Sequence, residues 1–486
     1  MVSEDAFVFL NVSRAVTSRA SWNDPAVEKL WLYNLHYFDD LNAEGAVNRR
    51  QWHTRLIDRW IEESPPGYGN GWEPYPSSLR IVNWIKYALG GGELSPRAVA
   101  SLAVQTRFLR ERLEFHLLGN HLLANAKALI FAGAFFEQEE AEEWLDKGFA
   151  ILRDELPEQI LGDGGHFERS PMYHAIILED LLDIENVCKT FGLQSIIEEA
   201  MIDKMRNWLA AMSHPDGEIA FFNDAAFGIA PVPAELDGYA ERLNHRPRIG
   251  QSDGVLRLAE SGYIRLQQRD AVLLVDAAPV GPSYLPGHAH ADTLSFELSL
   301  QGQRVMVNSG TSCYGSGSER QRQRGTAAHN TLVIDGQDSS EVWGGFRVAR
   351  RARVRSVHIA EEARGVRVEA SQDGYRRLRG RNVHRRSWLL DDHSMEIEDE
   401  VTGPFDRAEI RFHLHPEISV PEASATRASL KLRGGGLLEL AVQGGRLHVA
   451  QTTWHPRFGV SMPNSCLVVV LTAPKVKTFI KWGENR

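Results

Sequence analysis

The chain has 486 residues, of which 43% are hydrophobic and 24% are charged. These proportions are typical of a globular protein and exclude a disordered chain, and the length suits two or three domains. With 54 basic and 64 acidic residues the net charge is −10, which argues against nucleic acid as a partner. A polyanionic substrate stays compatible with this charge, because net charge does not describe a local site.

The N-terminus has no features of a targeting segment. Glu4 and Asp5 stand where a secretory signal carries basic residues, and no run of about 18 apolar residues predicts a membrane span. We therefore expect no membrane partner and a cytoplasmic location for the sequence as written, or a periplasmic or secreted one if a leader has been removed. The three cysteines are too few and too scattered for a disulfide framework.

Apolar residues recur at helical spacing from about Pro25 to Leu243, as in Leu56, Ile57 and Trp60, and this spacing predicts amphipathic helices. Proline and glycine clusters, such as Gly90–Gly92, separate the predicted helices. The first part of the chain therefore predicts paired helices.

The pattern changes in the polar stretch Arg246–Gly254. Beyond it, short β-branched runs such as Ala271–Val275 and Leu467–Leu471 predict the strands of antiparallel sheets. The predicted fold class is α+β, with a helical domain over 1–248 and an antiparallel β-sandwich over 249–486. We expect both domains to contribute to one substrate cleft.

Two segments of the helical part combine polar and apolar residues in an unusual way. Asn120 and His121 begin an otherwise apolar segment, either as a helix cap and a core histidine or as functional groups. The loop Gly162–His174 is dense in titratable side chains. It is either a connection in which Tyr173 fills the core, or a site where tyrosine and histidine transfer protons.

In the second part, Gly287–Asp292 reads Gly-His-Ala-His-Ala-Asp and leads into a predicted strand. His288 and His290 point the same way if this segment is extended, as metal ligands do, although a solvated loop is the alternative. His329 precedes a later strand. Between these histidines lies a set of side chains suited to carboxylates or sulfates, unless it is a solvated basic loop: Tyr314, Arg320, Arg322 and Arg324.

These segments together resemble the heparinase II/III-like polysaccharide lyases, a family that includes alginate and oligoalginate lyases. The resemblance runs from Trp31–Phe38 and Gly71–Pro76 into the second part, and it is most specific in four segments: Gly119–His121, Glu168–His174, Gly287–Asp292 and Ala328–Thr331. It implies an N-terminal incomplete (α/α) toroid followed by a C-terminal antiparallel β-sandwich. The implied chemistry is β-elimination at a uronic acid.

The resemblance also implies roles for single residues. Asn120 and His121 match the residues that hold the uronate carboxylate, and Tyr173 matches the catalytic tyrosine. Tyr173 would protonate the leaving oxygen, and it would also remove the C5 proton if both steps occur on one face. His288 is the second residue expected to remove the proton or to neutralise the carboxylate. Substrate contacts are expected from six further residues: Trp72, Glu73, Arg169, His174, Tyr314 and Arg324.

The family's metal site, usually described as zinc, falls on His290, Asn308 and His329. Asn308 stands where the family has an aspartate, and a neutral amide oxygen is a weaker zinc ligand than a carboxylate. We therefore expect at most one divalent metal ion, zinc or manganese, and a site that holds it weakly.

The leading hypothesis is a lyase acting on uronate-containing anionic polysaccharides, such as hyaluronan, chondroitin sulfate, heparan sulfate or alginate. One alternative is a glycoside hydrolase on the same fold, with carboxylates drawn from Glu73, Asp163 and Glu168. The other is a non-catalytic carbohydrate-binding protein of polysaccharide biosynthesis.

Overall fold

A computed structural model describes residues 1–248 and 250–483. By its internal contacts the chain forms two compact units: the first comprises Met1–Gln159 and Glu179–Glu198, and the second comprises Ile160–Leu178 and Glu199–Arg486. The domain boundary predicted after residue 248 falls at Ile249, which lies outside the described residues, as does the predicted end at 484–486. Residues 160–178 and 199–248, predicted as part of the helical domain, pack within the second unit.

The first unit contains a short hairpin and a set of helices: β1 (Ala6–Phe9), β2 (Val12–Ala15), α1 (Lys29–Tyr37), α2 (Arg50–Glu63), α3 (Pro74–Leu89), α4 (Pro96–Arg110), α5 (Gly119–Phe135) and α6 (Glu139–Gln159). Helix α7 (Pro171–Phe191) begins in the second unit and ends in the first. Most of α5 is buried, and glycine lets α6 approach it closely. A Cβ atom on Gly148 would lie 2.9 Å from the carbonyl oxygen of Ala126.

The second unit adds the helices α8 (Glu199–Ala211), α9 (Pro233–Arg242) and α10 (Ser318–Arg324) to four antiparallel sheets. The five-stranded sheet runs β3 (Gly254–Leu258), β4 (Tyr263–Gln268), β5 (Ala271–Asp276), β6 (Phe296–Leu300), β7 (Gln303–Met306). The four-stranded sheet runs β19 (Gly445–Trp454), β20 (Met462–Leu471), β15 (Ala408–His413), β8 (Leu332–Ile334).

The eight-stranded sheet runs β11 (Val354–Glu362), β12 (Gly365–Gln372), β13 (Val383–Leu390), β14 (Ser394–Thr402), β21 (Lys475–Trp482), β18 (Leu437–Gln443), β17 (Arg427–Lys431), β16 (Ser419–Ala423). A separate hairpin pairs β9 (Glu341–Trp343) with β10 (Arg347–Ala349). One apolar core joins the three large sheets, for example through Leu273, Phe412 and Ile397.

Helix α8 belongs to the second unit because its apolar face covers the five-stranded sheet. Trp208 and Met212 pack with Leu258 and Leu274 in one buried cluster, so this helical segment shares its core with strands. The predicted fold class, a helical toroid followed by antiparallel sheets, is confirmed. In residues 1–248 and 250–483 no helix combines the length and the apolar character that crossing a bilayer requires.

Candidate active site

In the first unit, the start of α5 carries Asn120 and His121 side by side. The chain enters this helix through Leu118, whose φ of 62° is uncommon for a residue with a side chain. Tyr75, at the start of α3, contacts both residues. Its ring lies 4.4 Å from the imidazole of His121, and its hydroxyl forms a hydrogen bond with the Asn120 side chain. Burial raises the pKa of Tyr75, so this hydroxyl stays protonated at neutral pH.

The imidazole of His121 is oriented by a buried carboxylate that sequence reasoning missed. Glu114 is 5% exposed, and its Oε1 lies 3.0 Å from His121 Nδ1. Its other oxygen accepts a hydrogen bond of 3.0 Å from Asn125 Nδ2, while the Glu114 backbone N–H donates to Asn125 Oδ1. Because a carboxylate accepts at Nδ1, that nitrogen carries the hydrogen and Nε2 is the atom that can face a ligand.

In the second unit, Tyr173, His288 and Tyr314 form a tyrosine–histidine cluster. Tyr173 lies in the first turn of α7, where its N–H donates to Ser170 Oγ at 3.2 Å. The Tyr173 ring stacks on His288 with centroids 3.9 Å apart, and its hydroxyl lies 2.8 Å from that of Tyr314. Burial, and then the charge of Asp224, raise the pKa of Tyr314 well above its usual value. Tyr314 is therefore a neutral phenol that can donate a hydrogen bond to the Tyr173 oxygen.

Asp224, which no sequence motif indicated, binds His288 and so orients the tyrosine–histidine cluster. Its fully buried carboxylate accepts from His288 Nδ1 and from His290 Nε2, both at 2.8 Å. Arg320 donates to both of its oxygens, with Nη2 2.7 Å from Oδ2. Burial opposes ionisation of Asp224, but Arg320 and the two histidines outweigh it and hold the pKa of this carboxyl well below its usual range. Asp224 is thus ionised, and because it accepts from Nδ1 of His288, Nε2 is the nitrogen of that ring that can face a ligand.

Four residues predicted to contact substrate are buried and use their polar atoms inside the protein: His174, Arg169, Arg324 and Trp72. Both ring nitrogens of His174 are hydrogen-bonded to the backbone, at His166 N and Met205 O. Arg169 is 8% exposed, and it donates to the carbonyl oxygens of Ser261 and Phe167. In this structure both residues have a packing role, because the atoms that would bind a sugar already have partners.

Arg324 and Trp72 are likewise buried. The guanidinium of Arg324 donates to the carbonyl oxygen of Ala289 through Nε and Nη2 and so fixes the segment between the two histidines of the motif. Trp72 is 4% exposed, and its Nε1 donates to Ser64 O at 3.2 Å. Glu73 differs, since its side chain is 38% exposed and pairs with Lys29 at 3.0 Å.

Of the three residues predicted to bind metal, the structure brings two close together, His290 and His329. Nδ1 of His290 lies 3.3 Å from Nε2 of His329, which suits either a direct hydrogen bond or two ligands of one tetrahedral ion, whose nitrogens lie roughly 3.3 Å apart. The hydrogen bond from His290 Nε2 to Asp224 resembles the carboxylate contact that orients many metal-binding histidines. Asn308 has a buried Nδ2 atom without a hydrogen-bond partner among the described residues.

A weakly held divalent ion would take the imidazoles of His290 and His329 and the amide oxygen of Asn308, which already accepts a hydrogen bond from the backbone N–H of Asn330 at 3.2 Å. Within the described part of the chain, no group of three His, Cys, Asp or Glu side chains is arranged to hold a metal. The fit therefore depends on Asn308 as the third ligand.

The helical toroid, the antiparallel sheets and the tyrosine–histidine cluster define a class of toroid-and-sandwich proteins. Two family models match the chain: "Heparinase II/III N-terminus" over residues 97–247 and "Heparinase II/III-like, C-terminal" over residues 251–483. The matches together cover most of the sequence. The chain belongs to the heparinase II/III-like family.

Individual relatives are distant. A heparin-sulfate lyase of Bacteroides stercoris is 26% identical over an alignment of 311 residues, which covers 59% of this chain and 44% of the relative. The chain thus spans less than half the length of this lyase. The FtsZ-localized protein C of Caulobacter vibrioides is 28% identical over 79% of this chain and 69% of its own length. A crystal structure of heparinase III superposes with a TM-score of 0.77 at 17% identity, over 99% of this chain and 80% of that one.

Proposed function

We propose that this protein is a polysaccharide lyase that cleaves uronate-containing chains by β-elimination. The observation that carries the proposal is the contact of Tyr173 with both Tyr314 and His288, the latter held by an ionised carboxylate. Family membership supports the same reaction. A buried acid that fixes the tautomer of a histidine beside a tyrosine hydroxyl suits proton transfer.

The reaction needs three things from the protein. The uronate carboxylate must be neutralised, the C5 proton must be removed, and the leaving C4 oxygen must receive a proton. Asn120 and His121 take the first role, with the amide and imidazole that Tyr75 and Glu114 hold in place. Neutralisation lowers the barrier because the carbanion formed at C5 would otherwise develop next to a negative charge.

Proton transfer is assigned to Tyr173, with His288 as a second base. An ordinary tyrosine has a pKa near 10, so its phenolate needs a hydrogen-bond donor or a cation nearby. The Tyr314 hydroxyl is such a donor at 2.8 Å, and the guanidinium of Arg320 lies over the Tyr314 ring at 4.9 Å. Tyr173 protonates the leaving oxygen from the same position, so one residue serves both steps when they occur on one face.

The substrate class follows from the same site and from the relatives' names. Heparan sulfate and other glycosaminoglycans are the first substrates to test, because curated relatives are named heparin-sulfate lyases. A glycoside hydrolase is disfavoured because Asp163 accepts hydrogen bonds from the backbone N–H groups of Glu260 and Ser261. That carboxylate is therefore engaged in holding the loop.

A divalent ion bound by His290, Asn308 and His329 belongs to the proposal as a structural group. It would pin three segments of the second unit, and its affinity would be low because the amide adds no charge. Metal analysis before and after chelation, with melting temperature followed in parallel, tests this. Asn308→Asp should bind more tightly. A protein that purifies without stoichiometric metal, and whose melting temperature neither chelator nor zinc nor manganese changes, would show that the two histidines are structural.

The activity is tested by incubating the protein with heparan sulfate, chondroitin sulfate, hyaluronan and alginate. Elimination creates a C4–C5 double bond, which absorbs in the ultraviolet, in step with new reducing ends. Reducing ends without that absorbance would identify a hydrolase and refute the proposal. Binding without either product would identify a non-catalytic carbohydrate-binding protein.

A further inference from the structure

The β9–β10 hairpin exposes aromatic side chains. Trp343 is 53% exposed and Phe346 is 40% exposed. In the part of the chain that the structure describes, every other tryptophan is buried or half-buried. Exposed groups of aromatic side chains mark binding surfaces.

Phe346 connects the hairpin to the tyrosine–histidine cluster. The ring of Phe346 lies 5.2 Å from that of Tyr314 and 6.0 Å from that of His288, at a steep angle to both. A ligand whose reacting atoms touch His288 therefore extends over Phe346 within the length of one sugar ring. Trp343 comes three residues before Phe346, on the preceding strand.

The hairpin is fixed to the candidate active site by its backbone. Arg320, which holds Asp224, also donates through Nε to the carbonyl oxygen of Gly345 at 3.1 Å. Gly345 has a φ of 78° and approaches the chain so closely that a Cβ atom there would lie 2.2 Å from Gly315 O. One buried guanidinium thus ties the hairpin turn to the carboxylate that orients His288, and the exposed rings sit on a rigid support.

Arg347 adds a positive charge next to the exposed indole of Trp343. Arg347 lies opposite Trp343 in the β9–β10 register, and its guanidinium carbon is 5.4 Å from the centre of the indole ring. An indole offers an apolar face to the C–H groups of a sugar, while a guanidinium binds carboxylate or sulfate through paired hydrogen bonds. The pair together is complementary to an anionic sugar ring.

We propose that Trp343, Phe346 and Arg347 form a subsite for a uronate or sulfated sugar that neighbours the bond being cleaved. This inference rests on the proposed function. It assigns to these three residues the selection and positioning of the anionic polysaccharide substrate. The sugar stacks on the indole, and its charged group pairs with Arg347.

The test measures binding where no cleavage occurs. In a Tyr173→Phe background, the dissociation constants of heparan sulfate and chondroitin sulfate tetrasaccharides are determined by calorimetry with and without Trp343→Ala. Loss of an aromatic anchor should raise the dissociation constant about tenfold, whereas Trp343→Phe should preserve most of the affinity. Arg347→Gln should weaken binding and reduce its dependence on salt.

Leu437→Ala is the matched control, because Leu437 is also exposed, at 55%, and lies in β18 of the eight-stranded sheet. It should leave affinity unchanged. A Trp343→Ala protein that is folded by circular dichroism and binds within about twofold of its parent would overturn the subsite.

The outcomes separate this inference from the proposed function. If the wild type releases unsaturated product and Trp343→Ala alters neither affinity nor KM, the subsite is wrong and the lyase assignment stands. If the wild type releases no such product but Trp343→Ala weakens oligosaccharide binding, the lyase assignment is wrong and the subsite stands. Failure to bind these oligosaccharides, together with no unsaturated product from any of the four polysaccharides, refutes both.

Discussion

Two histidines of this protein are oriented in the same way by unrelated parts of the chain. His121 presents Nδ1 to Glu114, and His288 presents Nδ1 to Asp224. Each carboxylate is almost fully buried, so each fixes a tautomer and a ring plane that an exposed histidine would not keep. The repeated arrangement leaves Nε2 of both rings for contact with a ligand.

Replacing Tyr173 by phenylalanine should abolish elimination while leaving the fold intact. The substitution removes one hydroxyl, and the ring still stacks on His288. Loss of a general acid or base typically lowers turnover about 10²–10⁴-fold. Steady-state rates from ultraviolet absorbance measure the effect, and Tyr375→Phe, at a buried tyrosine whose hydroxyl donates to the carbonyl oxygen of Leu332, serves as the control. More than about a tenth of wild-type turnover would remove Tyr173 from the mechanism.

Glu114→Gln should lower kcat while changing the melting temperature little. The amide fills the same space, but it cannot serve both His121 Nδ1 and Asn125 Nδ2 as acceptor, so the imidazole loses its fixed orientation. Replacing a group that supports a functional histidine costs about 10–100-fold in activity. The ratio of kcat to KM and the melting temperature are measured on the same preparation. Unchanged kcat in a folded Glu114→Gln protein would contradict the role given to His121.

At the scale of elements, a buried ion cluster ties α5 to α7 within the first unit. Lys127 Nζ lies 2.6 Å from Asp180 and 2.5 Å from Asp183, and Lys86 also reaches Asp183 at 2.5 Å. Burial disfavours the charge of Asp183, but the two lysines outweigh it and lower its pKa to about 2. Asp183 thus contributes stability above the pKa of the unfolded chain, and this contribution is lost as pH falls towards 2.

Lys127→Met should destabilise the protein by about 3–5 kcal/mol, because it leaves two carboxylates buried without their main partner. The pKa of Asp183 should then rise above that of the unfolded chain, and the pKa of Asp180, which burial already raises, should rise further, so the folded variant binds more protons. The deficit in melting temperature relative to wild type should therefore be larger at pH 8 than at pH 5. Lys189→Met removes a lysine paired with Glu185 on the same α7 and should cost at most about 1 kcal/mol. Equal deficits at both pH values would contradict this account.

At the scale of the whole molecule, neither compact unit is a continuous stretch of sequence. The chain passes between the units after residues 159, 178 and 198. A fragment of residues 1–248 would leave Trp208 and Met212 without the strands that cover them. We expect this fragment to aggregate or to lack cooperative unfolding, unlike the full chain, when both are followed by circular dichroism. A fragment that melts cooperatively with its tryptophans shielded from quencher would show that the helical part folds alone.

Much of the architecture was predictable because the spacing of apolar residues along the sequence directly indicates helices and strands. Helical spacing identified the helices up to Leu243, and β-branched runs identified the strands. The units were not predictable, since the packing of α8 on β-strands depends on contacts that spacing does not encode. Asp224 was missed for the same reason: its partners His288 and Arg320 are 64 and 96 residues away.

Residue types alone also could not predict which side chains are buried and which face solvent. Arg324 and His174 have the chemistry of ligand-binding residues, and the structure uses that chemistry to bind backbone carbonyl oxygens. Arg320 was one cation among several in its loop, and only the fold distinguishes it as the partner of Asp224. Trp343 and Phe346 form no recognisable motif, so the aromatic hairpin was not predicted.

Each compact unit is built from separate stretches of the sequence, so residues that meet in the folded protein are synthesised at different times. Tyr173 and its partner Tyr314 are 141 residues apart, which corresponds to about 7–28 s of synthesis at about 5–20 residues per second. During that interval the start of α7 has left the ribosome before its later contact, Tyr314, has been synthesised. The nascent chain must keep this apolar segment from premature association, and the tyrosine–histidine cluster assembles only after α10 and the β9–β10 hairpin have emerged.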